Sequence, residues 1–144
     1  MNHPKPVSRT TSTPPALARR LAGALSELAH DLSNPYDEST DAFRPFSARL
    51  DSSKPFDEPA LRAALHVAER YKLDTSELDT HAFDEWGEPY VSNYDALCKV
   101  MGAVLTDIHV VWARAQGVVR VRTWFVGRLG TEWLVGLRTE TTET

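Results

Sequence analysis

Leu105 to Thr144 reads LTDIHVVWARAQGVVRVRTWFVGRLGTEWLVGLRTETTET, and this stretch decides the fold. Three runs rich in β-branched and aromatic residues are separated by turn residues, the pattern of an antiparallel meander. His109 to Ala115 reads as one strand, with Gln116-Gly117 as a tight hairpin link. Val118 to Val126 reads as the second strand. Val119, Val121, Thr123 and Phe125 fall on one face, and Arg120, Arg122, Trp124 and Val126 on the other. Gly127-Arg128-Leu129-Gly130 reads as the next turn, and Glu132 to about Thr141 as the last strand. A terminus that grows out of a sheet strand is held, whereas most termini fray. This one would present hydroxyls, the Glu140 and Glu143 carboxylates and the terminal carboxylate. Such groups suit a metal ion, a basic patch or hydrogen-bond donors, and suit DNA poorly because its own charge is negative.

A sheet with an apolar face needs a cover, and the preceding sequence supplies helices. Leu17, Leu21, Leu25, Leu28 and Leu32 recur at three- and four-residue steps after Pro15, and Pro35 stops the run. Phe43 to Leu50 reads as a short edge strand, because Pro45 cannot donate to a ladder. Asp57 can cap a second helix with Pro59 in its first turn, its stripe running to about Tyr71. Residues 73–89 read as irregular. A third helix is expected from about Asn93 to Thr106, burying Leu97, Val100, Met101, Val104 and Leu105. The expectation is an α+β chain, a three-layer sandwich of helices about one sheet, with a single domain at 15–144 behind a disordered basic tail at 1–14.

The 144 residues are 42% hydrophobic and 25% charged, ordinary values for one globular domain. No apolar run approaches the roughly 20 residues that span a bilayer, and the N-terminal residues lack an apolar signal core. Cys98 is the only cysteine, so no intrachain disulfide forms, and a buried place on a helix is expected for it. These features point to a reduced, cytoplasmic protein. The net charge of −4 is segregated. Residues 1–26 carry four bases and no acid, residues 27–95 carry 16 acids against 6 bases, and residues 96–144 carry 6 bases against 4 acids. An acidic middle repels nucleic acid and favours basic partners.

No nucleophile elbow, P-loop, dinucleotide fingerprint or zinc-helix histidine pair occurs. Asp79, His81, Asp84 and Glu85 form the densest titratable group, from which an acid–base pair for a small hydrolase could be drawn. A solvated loop explains them more simply. Arg120, Arg122 and Trp124 resemble the cation–aromatic row of a nucleic-acid reader. Stems packed on a helix, or pairing with Glu132, explain that row at less cost on an acidic protein.

Two polar features remain, the loop Asp37-Glu38-Ser39-Thr40-Asp41 and the terminal Glu140-Thr141-Thr142-Glu143-Thr144. Together they resemble the nuclease A inhibitor family. That family carries a loop close to S-E-S-D-x-P-F-E-P-F after its first helix, and Glu38, Ser39, Phe43, Pro45 and Phe46 match it. Gly117, Gly127-Arg128, Gly136-Leu137-Arg138-Thr139 and Glu143-Thr144 follow in the family's order, and the resemblance covers about residues 16–144. Asp37, Ala42 and Arg44 depart from the family pattern, Arg44 standing where the family has an acid.

The resemblance implies an α/β/α sandwich of the pathogenesis-related-1-like kind that is not an enzyme and holds no cofactor or metal of its own. It implies inhibition of a sugar-nonspecific DNA/RNA endonuclease of the ββα-metal type, in a 1:1 complex formed by a monomer. By position, Glu38 and Thr144 would reach the nuclease site, with Asp37, Ser39, Asp41 and Glu143 beside them. Glu38 would ligate the nuclease's divalent ion, as a hard carboxylate suits Mg²⁺. The altered loop keeps an alternative open: a non-inhibitory protein-binding module on the same fold.

Overall fold

A computed structural model of the chain describes residues 15–30, 42–50, 57–77 and 91–143. The expected tail at 1–14, the acidic loop residues Asp37, Glu38, Ser39 and Asp41, the cluster Asp79, His81, Asp84 and Glu85, and Thr144 lie outside the described residues. The elements run α1 (Pro15–Leu28), β1 (Arg44–Arg49), α2 (Glu58–Leu65), β2 (Lys72–Glu77), α3 (Val91–Val104), β3 (Thr106–Arg114), β4 (Arg120–Leu129) and β5 (Trp133–Thr142). The architecture is mixed α+β, with one five-stranded sheet in the order β1-β5-β4-β3-β2. Every neighbouring pair is antiparallel.

Period-2 alternation divides the strands' apolar side chains between two cores. Val110 of β3, Phe125 of β4, and Val135 and Leu137 of β5 join Ala18, Ala22 and Leu25 of α1 and Leu97, Cys98 and Met101 of α3. Val111 and Ala113, Trp124 and Val126, and Leu134 join Ala60, Leu61, Ala64 and Leu65 of α2. The β3–β5 meander is as the sequence predicts, the face assignments of β4 hold from Arg120 to Val126 while Val118 and Val119 precede the strand and are exposed, and β1 is the expected edge strand. Pro45 lies in that edge strand opposite Leu137.

Four expectations are corrected. Residues 73–77 are not irregular: Lys72–Glu77 is a strand that pairs with β3 in a regular register, so the sheet has five strands. Only Leu73 of it is buried, which is why no apolar alternation announces it. The second helix ends at Leu65, not near Tyr71. His66 caps it in the left-handed region at φ 54°, and Arg62 donates to the carbonyls of Ala68 and Tyr71 at 2.9 and 2.7 Å, fixing the chain beyond the cap. The third correction concerns helix faces. Helix α1 buries Ala18, Ala22 and Leu25, and Ala29 just beyond it is buried too, while Leu17 and Leu28 are 49% and 38% exposed. Small alanines let the helix axis approach the sheet closely. On α3, Val104 is likewise exposed rather than buried.

The turns supply the fourth. Strand β4 continues through Gly127 to Leu129, and the reversal occurs at Gly130, φ 61°. Gly127 is glycine because a β-carbon there would lie 2.9 Å from the Leu105 Cβ and the Thr106 carbonyl oxygen. The first hairpin is wider than two residues. Ala115 to Val119 connect β3 to β4, with Gly117 at φ 80° and the Val118 amide donating to the Ala115 carbonyl.

Candidate functional site

The resemblance directs attention to the C-terminus, and the structure shows how this end is held. Strand β5 runs through Thr142, paired with Arg120 of β4. One residue further, the Glu143 amide donates to the Val119 carbonyl at 2.7 Å. Beneath it, Thr123 donates its hydroxyl to the Val121 carbonyl at 3.0 Å. A hydroxyl has one proton, so in the buried 2.7 Å contact between Thr123 and Thr141 the donor is Thr141. Thr141 and Thr142 are thus part of the sheet.

Arg114, the last residue of β3, gathers the surrounding charges. Its Nε lies 2.9 and 3.1 Å from the two Glu143 carboxylate oxygens and its Nη2 donates to Glu143 at 2.6 Å. Its Nη1 donates to Asp74 of β2 at 2.8 Å. The guanidinium also lies 5.0 Å from the Trp112 ring centroid. One planar fork therefore ties the C-terminal residues to the sheet's far edge strand, a role a lysine point charge would fill less well. The Arg114 hydrogen bond, with lesser help from the Lys72 charge, holds the Asp74 carboxyl below its ordinary value against the opposing effect of burial. Glu143 first, and then Asp74, holds the Arg114 proton more tightly than usual.

Glu143, expected as a presented carboxylate, is therefore engaged within the chain, where it anchors the terminus. Glu140 is engaged too, accepting from Arg120 Nε at 2.6 Å. Arg120 does not pair with Glu132, which lies at the other end of β5 beside Arg49. Sequence reading missed Arg114 and Asp74, which are 40 residues apart. The signal that could have found them is an unpaired arginine at the end of a strand facing a terminal glutamate.

Arg114→Ala is expected to lower the folding free energy by about 1–2 kcal/mol, the modest value that suits bidentate groups each about one-third exposed to screening solvent. The sign with pH follows from Asp74, whose folded value is depressed from 3.8. Its contribution is complete above that value and disappears as acid titrates the folded carboxylate. Thermal melts of parent and variant should differ most near neutral pH and converge in strong acid. Equal melting at neutral pH would contradict the clamp.

Elsewhere, a smaller cleft of about 110 Å³ has Asp57, Glu58 and His109 on its wall. Asp57 accepts from the Ala60 amide as helix cap and Glu58 pairs with Arg62, so both carboxylates have structural duties. Among the described residues no three histidine, cysteine or acidic side chains cluster as metal ligands. No described helix is long and apolar enough to cross a membrane. No known protein-family model matches the chain, and none of the curated proteins matches it.

Proposed function

We propose that this chain is a protein inhibitor of a sugar-nonspecific ββα-metal endonuclease, acting in the cytoplasm as a monomer that forms a 1:1 complex and carries out no catalysis itself. The observation that carries the reading is the held end of the sheet: β5, the Glu143 amide and the Arg114 fork together fix the chain up to Glu143. Pre-ordering a terminus removes an entropic cost that a frayed tail would meet on binding. Thr144 would then offer its hydroxyl and terminal carboxylate as substitutes for phosphate oxygens, and Glu38 would ligate the nuclease's Mg²⁺ directly or through its water. Asp37, Ser39 and Asp41 would flank that contact, and the acidic middle of the chain would steer it toward a basic cleft. The two helix-lined cores on opposite sheet faces support a three-layer α/β/α sandwich of the pathogenesis-related-1-like kind.

Light scattering on an equimolar mixture with a ββα-metal nuclease tests the reading. A single species with the summed mass of one copy of each is expected. Two separate species would remove it.

A second reading, a protein-binding module with another partner, draws on Arg44, which places a cation beside the loop where the resembling family has an acid. It predicts a partner other than a nuclease, captured through the same terminus and lost when Thr144 is removed.

A further inference from the structure

Strands β1, β5 and β4 align Arg44, Arg138 and Trp124 as successive register partners on the face that carries α2. Directly opposed like charges on one sheet face cost stability. Among the described residues neither Arg44 nor Arg138 has a carboxylate partner, and both are exposed. The next row places Arg122 opposite Glu140, and Arg120 follows two residues earlier on the same strand face. The four guanidinium groups border one cleft of about 530 Å³ with Phe46 and Leu65 in its wall. Among the described residues its only carboxylate is Glu140, already held by Arg120 at 2.6 Å. Arg122 is held in place, its guanidinium 5.4 Å from the Tyr71 ring centroid and 5.5 Å from that of Trp124. Counted over the described residues, the cleft therefore has an excess of three positive charges on a protein whose net charge is −4.

We propose that this cleft is a binding site for a small phosphate-bearing anion. Guanidinium forks match the paired oxygens of phosphate, and the opposed Arg44 and Arg138 gain a shared counter-charge when it binds. The volume falls within the range of about 300–1,000 Å³ common to small-molecule sites. Phe46 and Leu65 offer an apolar wall to the organic part of a phosphate ester. Trp124 is 3% exposed, which leaves its ring unavailable as a stacking platform for an unpaired nucleic-acid base, so a small anion is favoured over a strand. The site does not depend on the C-terminus or on the inhibitor reading.

The test uses inorganic pyrophosphate as probe, with calorimetry and thermal melts on the full chain and on Arg44→Glu. Pyrophosphate is expected to bind one per chain, to raise the melting temperature, and to bind at least tenfold more weakly to the variant. Arg44→Glu faces Arg138 with an opposite charge, so without ligand it should melt no lower than the parent, which separates lost binding from lost folding. Absence of heat and of any melting shift up to about 10 mM pyrophosphate would overturn the proposal, since weaker binding is below a useful affinity. Equal affinity in parent and variant would overturn it too. Tighter binding of a single-stranded dT oligonucleotide than of pyrophosphate would overturn the small-molecule assignment.

Discussion

Gly136→Ala is expected to destabilise the fold by about 3 kcal/mol or more. Gly136 lies in β5 opposite Val126, at the centre of the sheet. A β-carbon there would run into the Phe125 carbonyl and come within 2.9 Å of the Val126 Cα. These are backbone atoms of β4, so no side chain can rotate away. Relief requires the two central strands to part, breaking the ladder that joins both cores. Overpacking with backbone displacement costs about 3 kcal/mol or more, against a total stability of about 5–15 kcal/mol for a domain of this kind. The variant should melt at least about 10 °C below the parent. Gly23→Ala is the control: nothing lies within 4 Å of its β-carbon position on α1, and alanine favours the helix by about 1 kcal/mol. A Gly136→Ala variant as stable as the parent would mean that β4 and β5 do not approach as described.

The largest functional effect is expected from Glu38→Ala and from removal of Thr144. Each should weaken nuclease inhibition at least about 100-fold, or about 2.7 kcal/mol, because each removes a group proposed to meet the metal or phosphate subsites at the centre of the interface. Removing Thr144 alone retains Glu143 and its bonds to Arg114, so the melting temperature should remain close to the parent's. Removing Glu143 as well would combine a lost contact with a lost anchor. Inhibition by both variants equal to the parent would displace the contact from these residues.

The sequence made the sheet's centre legible because β3, β4 and β5 carry long, alternating apolar patterns with both faces covered. Strand β2 was hidden because an edge strand buries little: Leu73 is its only buried residue, and its ladder with β3 is a backbone matter. The end of α2 at His66 was hidden because the residue leaves the helix by adopting φ 54°, which its side chain does not advertise. Gly127 and Gly130 look alike in sequence. Contact with Leu105 and Thr106 makes the first a strand residue, while a φ of 61° makes the second a turn. The leucine stripe of α1 misdirected the face assignment, because alanine fits the contact and leucine periodicity dominates the eye. Of the candidate site, the held terminus was legible from the run of β5 into Glu140-Thr141-Thr142. The Arg114 clamp was not, since Asp74 and Glu143 meet it only after β2, β3 and β5 have assembled. The arginines of the cleft were partly legible as alternation along β4, but Arg44 and Arg138 join them only through strand register.

Plasmid cleavage by a ββα-metal nuclease with Mg²⁺, titrated with this protein in stoichiometric steps, tests inhibition most directly. Inhibition predicts that cleavage stops near one equivalent. Undiminished cleavage at large excess would contradict it.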